Sequence, residues 1–163
     1  RVLFRSAFSN FATMPAQQNE TLNVVRIVKM ALEIFNEDYI QFSALEDEII
    51  AKLDRTQLIR VITNLVKNAI QAIPEGQENK LVFVTVFRQD NEVKIAVKDN
   101  GKGISEENAA RIFEPKFTTK SSGMGLGLAI IKNIIENYHG TITFETELNI
   151  GTEFLVSFPI NKQ

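Results

Sequence analysis

Residues 54–73 read Asp54-Arg-Thr-Gln-Leu-Ile-Arg-Val-Ile-Thr-Asn-Leu-Val-Lys-Asn-Ala-Ile-Gln-Ala-Ile73, and their spacing predicts a long amphipathic helix. At about 100° per residue, Leu58, Val61, Ile62, Leu65, Ala69, Ala72 and Ile73 fall on one broad face. Asp54 stands where an N-cap belongs, and Pro74 and Gly76 close the far end. The opposite side collects Gln57, Arg60, Asn64, Asn68 and Gln71. A solvated face is normally rich in Lys and Glu; this one carries amides, two of them asparagines one turn apart. Asparagine is a poor helix former because its side chain competes for backbone groups. The stripe is therefore either a solvated face of unusual composition or a ligand surface, and amide oxygens suit Mg2+ or phosphate-linked water.

Downstream, the spacing predicts strands over 81–87 and 92–99 joined by Arg88-Gln-Asp-Asn91. Val93, Ile95 and Val97 alternate onto one face, and Asp99 continues their phase. A carboxylate in line with a core face is costly unless a donor meets it. Asn100-Gly-Lys-Gly103 follows at once. Asp99 is then either an ordinary turn acid at a strand end or a carboxylate awaiting a ligand's amine, such as the exocyclic group of adenine.

Glycines 123, 125 and 127 lead into a helix that runs to Tyr138. Tight packing or a phosphate cradle would each call for such a bare backbone. Amides at a helix entrance offer donors and the positive dipole end to an anion. Thr118, Thr119, Lys120, Ser121 and Ser122 stand just before it, and no Walker pattern is present. Around this centre we expect a helix over residues 21–36, extended runs at 40–45 and 49–53, and a short helix from Ser105 to Phe113. A polar loop at 114–122 and final strands at 141–147 and 153–159 complete the pattern.

Composition narrows the chemistry. The chain has 163 residues, 44% hydrophobic and 23% charged, which suits one globular domain. A net charge of −2 offers no electrostatic footprint for nucleic acid. The absence of cysteine removes thiolate metal sites and cysteine nucleophiles. No stretch approaches the roughly 18 apolar residues that span a bilayer, and no signal peptide is present, so we expect a cytoplasmic fragment without membrane contact. His139, the single histidine, sits at a helix end with Gly140 as the expected left-handed cap.

Four motifs in order carry a resemblance. Asn64-Leu-Val-Lys-Asn68-Ala, Asp99-Asn-Gly-Lys-Gly103, Ile112-Phe-Glu-Pro-Lys-Phe-Thr-Thr-Lys120 and Gly123-Met-Gly-Leu-Gly127 resemble the N, G1, F and G2 boxes of sensor histidine kinases. The resemblance covers roughly residues 20–160, and the F box looks most like that of nitrogen-regulation-type kinases. It implies an α+β fold: a two-layer α/β sandwich with a mixed sheet of about five strands backed by about three helices. This is the Bergerat ATP-binding fold shared with gyrase, Hsp90 and MutL. Residues 16–163 would form the ATP-binding catalytic domain, and residues 1–15 the end of a truncated dimerisation and histidine-phosphotransfer helix.

The cofactors implied are ATP and Mg2+. Carried over by position, Asn64 would help hold Mg2+ and Asn68 would contact the Mg2+-linked phosphates. Asp99 would accept from the adenine amine, with Gly103 allowing close approach and Ile104 near the base. Thr152, in Gly151-Thr-Glu-Phe154, would back the adenine contact through water. Residues 114–124 would form the lid; Gly123, Gly125 and Gly127 would admit phosphates, and Lys120 would reach the terminal one. Ala72, Gly101, Phe117, Thr118, Thr119, Met124, Leu126 and Leu128 would complete the nucleotide's surroundings.

Two departures bear on activity. Arg60 stands one turn before Asn64, where hydrolytic relatives carry a water-activating glutamate, and arginine cannot act as a base. Transfer to an external nucleophile is then favoured over hydrolysis. His139 is not placed like a phosphoacceptor, which would lie on an upstream helical hairpin. The implied partners are that hairpin, as a homodimer in the full-length protein, and a response regulator; an inner-membrane anchor would also lie elsewhere. A nucleotide-binding module that signals without transfer, and a hydrolytic ATPase of the same fold, remain as alternatives.

Overall fold

Val82, Val84 and Val86 alternate with half-buried neighbours, Val93, Ile95 and Val97 alternate with Lys94, Ala96 and Lys98, and all six side chains are buried. They sit on two adjacent interior strands of a computed structural model that describes residues 16–115 and 127–160. Its elements are β1 (Asn19–Asn23), α1 (Val24–Leu32), β2 (Ile40–Ala44), β3 (Ile50–Asp54), α2 (Arg55–Ala72) and β4 (Val82–Gln89). After these come β5 (Glu92–Asp99), α3 (Glu106–Ala109), α4 (Gly127–Asn137), β6 (Thr141–Glu147) and β7 (Gly151–Pro159). Five strands form one sheet in the order β2-β4-β5-β7-β6. The β2–β4 pair is parallel and the other pairs are antiparallel, so the sheet is mixed as expected.

The covering layer is α1, α2 and α4, whose apolar faces merge with the inner face of the sheet into one core. Helix α2 lies between the other two and on β5. That position explains a small departure from the expected stripe. Val66 is fully buried because α2 is covered on its flanks as well as beneath, whereas Ala72, at the helix end, is only half-buried. Asp54 caps α2 as expected, its Oδ1 accepting from the Gln57 amide at 3.2 Å.

Three expectations need correction. Residues 19–23 form β1, paired with β3 in a separate two-stranded sheet, where a helix from residue 21 was expected. Leu22 fits both a helical spacing with Val25 and Val28 and a half-buried strand. The cap decides it: Asn23 Oδ1 accepts from Val25 and Ile49 amides, both at 3.1 Å, and starts α1 there. The left-handed residue ending α4 is His139 (φ 62°), and Gly140 is not in that region. Gly140 is needed for space instead, since a Cβ would run into the Ser157 carbonyl. Finally, α3 is a single turn, so the described helices number three long ones and one short one. The expected phosphotransfer-helix end at 1–15 lies outside the described residues.

One polar network ties α4 to the β1–β3 sheet. Tyr138 Oη accepts from the Asp54 amide at 3.1 Å and donates to Asn19 Oδ1 at 2.9 Å, while its ring stands edge-on to Phe158. Burial raises the Tyr138 phenol above its ordinary pKa, so it stays protonated and able to donate. Tyr138→Phe should cost about 1–2 kcal/mol in urea unfolding, since the ring contact survives and two hydrogen bonds do not. An unchanged midpoint would show that water replaces both bonds. Among the described residues no helix is long and apolar enough to cross a membrane.

Candidate functional site

The loop after β5 is held from three sides. Asp99 Oδ1 accepts from the Gly101 amide at 2.8 Å, closing a tight turn at the strand end. The Lys102 amide donates to the Ala72 carbonyl at 2.9 Å, which stitches the loop to the end of α2. On the other flank the Asn149 amide donates to the Lys102 carbonyl at 2.7 Å, joining the loop to the β6–β7 turn. Asn100 anchors the base: its Oδ1 accepts from Leu81 N at 2.9 Å and its carbonyl from Gln77 Nε2 at 2.9 Å.

Asp99 is 5% exposed, in the core phase that its spacing predicts. Burial raises its carboxyl above the ordinary value, and the amides of Gly101 and Thr152 pull it partway back. Among the described residues no lysine or arginine pairs with it, so the carboxylate is met by amide N–H groups alone. Thr152 stands directly opposite on β7 and Val82 on β4. The structure therefore brings Asp99, Gly101, Gly103, Ile104 and Thr152 to one end of the sheet, with Ala72 against them.

The second part of the site lies on α2. Asn64 Nδ2 donates to the Arg60 carbonyl at 2.8 Å, which commits the amide nitrogen to its own helix. Its Oδ1 is the atom that a Cβ on Gly127 would meet, at an ordinary 3.6 Å. So the start of α4 faces the amide oxygen of Asn64, and Gly127 itself has room for a methyl group. Asn68 follows one turn on and is half-buried; Leu128 is half-buried on α4. Phe117, Thr118, Thr119, Lys120, Gly123, Met124, Gly125 and Leu126 lie outside the described residues.

The residues missed from the sequence are those that brace the loop. Thr146 Oγ1 accepts from the Ile104 amide at 2.9 Å and lies 2.8 Å from Thr152 Oγ1. Glu147 backs Gly103 with its carbonyl. A threonine in an alternating strand has no signature of its own, and only the β6–β7 register reveals the pairing. A concavity of about 280 Å3 opens at the same sheet end between Lys98, Glu145, Glu147 and Glu153, with Asp99 and Thr152 also lining it. Four carboxylates, Asp99 among them, against one ammonium make that wall unsuited to a polyphosphate.

Comparison with known proteins places this geometry. The family model described as histidine kinase-, DNA gyrase B-, and HSP90-like ATPase matches residues 53–162. Sporulation kinase A of Bacillus subtilis is 36% identical over 152 residues, which is 88% of this chain and 25% of that protein. A sensor histidine kinase NtrY-like protein of Rickettsia felis is 33% identical over 161 residues, 96% of this chain and 27% of that one. It is a counterpart to the nitrogen-regulation-type resemblance. The chain thus spans about a quarter of the length of these curated relatives. The solved catalytic domain of histidine kinase ThkA superposes with a TM-score of 0.78 at 31% identity, over 88% of this chain and 97% of that chain. On these matches and the fold described above, the chain belongs to the histidine kinase-, DNA gyrase B-, and HSP90-like ATPase family, among the catalytic domains of sensor histidine kinases.

Proposed function

We propose that this chain binds Mg-ATP and positions its γ-phosphoryl group for transfer to a histidine on an upstream helical hairpin. The observation that carries the reading is Asp99, a buried carboxylate met by two amides and by no cation among the described residues. A ligand's amino group supplies the donor that such a carboxylate calls for. Asn64 turns its amide oxygen toward the entrance of α4, where a polyphosphate would meet the positive end of the helix dipole.

Mg2+ would supply charge neutralisation across the phosphates. Among the described residues no three acidic, histidine or cysteine side chains gather as a metal cluster. That donor set fits a cation held mainly by phosphate oxygens and water, with Asn64 Oδ1 as a protein ligand. Lys120 would reach the terminal phosphate, and Asn68 the phosphates linked to the metal. In the transfer, an imidazole nitrogen attacks the γ-phosphorus as the bond to the bridging oxygen breaks. ADP leaves with the electron pair, and the imidazole loses its other N–H proton to solvent. The protein's contribution is alignment and charge stabilisation. Arg60, exposed and cationic at neutral pH, offers no base for activating water in place of the histidine.

The hairpin would make the full-length protein a homodimer, and a response regulator would receive the phosphoryl group. ThkA, a structural neighbour at 26% identity, has been solved in complex with the response regulator TrrA. The reading is tested by titrating a nonhydrolysable ATP analogue with Mg2+, then adding γ-labelled ATP and the histidine-bearing hairpin in trans. Saturable binding and label on that histidine are expected. Binding without label would leave a nucleotide-sensing module; no binding would sink the proposal.

A further inference from the structure

Asparagine recurs along the chain, but only Asn100 is followed by glycine. Such a pair is prone to deamidation, because the bare glycine backbone lets its nitrogen swing onto the asparagine side chain. The chemistry needs only water. The Gly101 nitrogen gives its proton to a base in solution and attacks Asn100 Cγ. The side-chain nitrogen takes up a proton and leaves as ammonia, closing a cyclic imide. Water then opens the imide at either carbonyl. Opening at the side-chain carbonyl gives aspartate; opening at the main-chain carbonyl gives isoaspartate, whose main chain is longer by a methylene.

In the folded chain every group in this reaction is engaged. Asn100 Oδ1 accepts from the Leu81 amide at 2.9 Å, and Nδ2, the leaving group, donates to the Asn79 carbonyl. The attacking Gly101 amide donates to Asp99 Oδ1 at 2.8 Å. The main chain of Asn100 is held as well, its amide donating to the Leu81 carbonyl at 3.2 Å and its carbonyl accepting from Gln77 Nε2 at 2.9 Å. Ring closure has to pull the side chain off residues 79 and 81 and free the Gly101 nitrogen from Asp99. Nor is there slack for a longer chain. A Cβ on Gly101 would collide with the Ala72 carbonyl, and one on Gly151 would lie 3.0 Å from Asn100 Cα.

We propose that Asn100–Gly101 is a modification site held shut by the fold: it deamidates only when its loop opens, and isoaspartate there abolishes nucleotide binding. The second half rests on the nucleotide reading above. An added methylene displaces Gly101 from Asp99, so that this bond and the Lys102–Ala72 bond at 2.9 Å cannot both re-form. Either product also sets a carboxylate oxygen against the Asn79 carbonyl in place of the Nδ2 donor.

The test incubates the whole chain at mildly alkaline pH, folded and in guanidinium chloride, and follows amide loss at Asn100 by peptide mapping and mass spectrometry. Three hydrogen bonds that must break together should slow the folded chain about a hundredfold. Equal rates overturn the proposal. Gln77→Ala releases the Asn100 carbonyl and should speed the folded reaction about fivefold while leaving the unfolded rate unchanged. An unmoved folded rate counts against the clamp; should this variant not fold, the parent's two rates decide alone. The converted chain, separated by its added negative charge, is then titrated with a nonhydrolysable ATP analogue and Mg2+. Binding stoichiometry should fall by at least the isoaspartate fraction that mapping gives, and full stoichiometry overturns the proposal. A parent chain that binds no analogue overturns the nucleotide reading instead, while the ratio of unfolded to folded rates still decides whether the site is held shut.

Discussion

Asp99→Asn should remove most of the affinity for ATP while leaving the ligand-free protein as stable as before, or more so. The carboxylate is buried with amide donors but no cation among the described residues, so its charge is a burden on the folded state. Asparagine keeps an oxygen for the Gly101 amide, which the carboxylate now accepts at 2.8 Å. Its NH2 group, however, would face the adenine amine donor to donor. Losing a charge-assisted bond and gaining that mismatch should cost about 2–4 kcal/mol, roughly 30- to 1,000-fold in affinity.

The same carboxyl makes stability depend on pH. Its folded-state pKa is raised, so the native state holds a proton that the unfolded chain has already released. Stability is therefore greatest below the ordinary carboxylate value and declines as pH rises through the raised one. Asp99→Asn should abolish that decline, which thermal melts across the acidic range will show. Binding should follow the opposite course, weakening as pH falls and the carboxyl takes up its proton. A variant that binds ATP normally would remove Asp99 from the site.

Gly103→Ala should destabilise the fold itself by about 3 kcal/mol or more. Gly103 has φ +75°, a region that costs a side-chain-bearing residue about 1–2 kcal/mol. An added Cβ would also strike the carbonyl carbon and oxygen of Glu147. That backbone belongs to β6 and cannot yield cheaply, because Glu147 pairs with Gly151 at the end of the ladder. Gly76→Ala is the natural control: nothing lies within 4 Å of its Cβ position and its φ is not positive. Urea midpoints should drop sharply for the first and hardly move for the second. Equal midpoints would mean that the β6–β7 turn shifts aside freely.

Asp99 and Gly103 differ in how far each is legible along the chain. The phase of Val93, Ile95 and Val97 placed Asp99 on the core face, because a strand's period is local and needs no partner to be read. Helix α2 was legible for the same reason, down to its Asp54 cap and its amide stripe. Gly103 was recognised as a motif glycine near the ligand, but its collision with Glu147 depends on a turn more than forty residues away. The β1 strand was missed because Leu22 satisfies two periods at once, and its pairing with β3 is a long-range choice. His139 replaced Gly140 as the left-handed residue because Gly140 is pressed against β7, a contact invisible along the chain.

By itself the sequence determined the class of fold and the order of the elements after β1. These follow from periodicity, caps and four ordered motifs, all properties of neighbouring residues. Tertiary structure alone decided how the site is braced. It set Thr146 against Thr152 and Ile104, turned the Asn64 oxygen toward Gly127, and clamped residues 100–103 between α2 and the β6–β7 turn. The physical reason is that strand register and helix packing bring together groups far apart in the chain. A hydroxyl's donor or acceptor role depends on which groups those are.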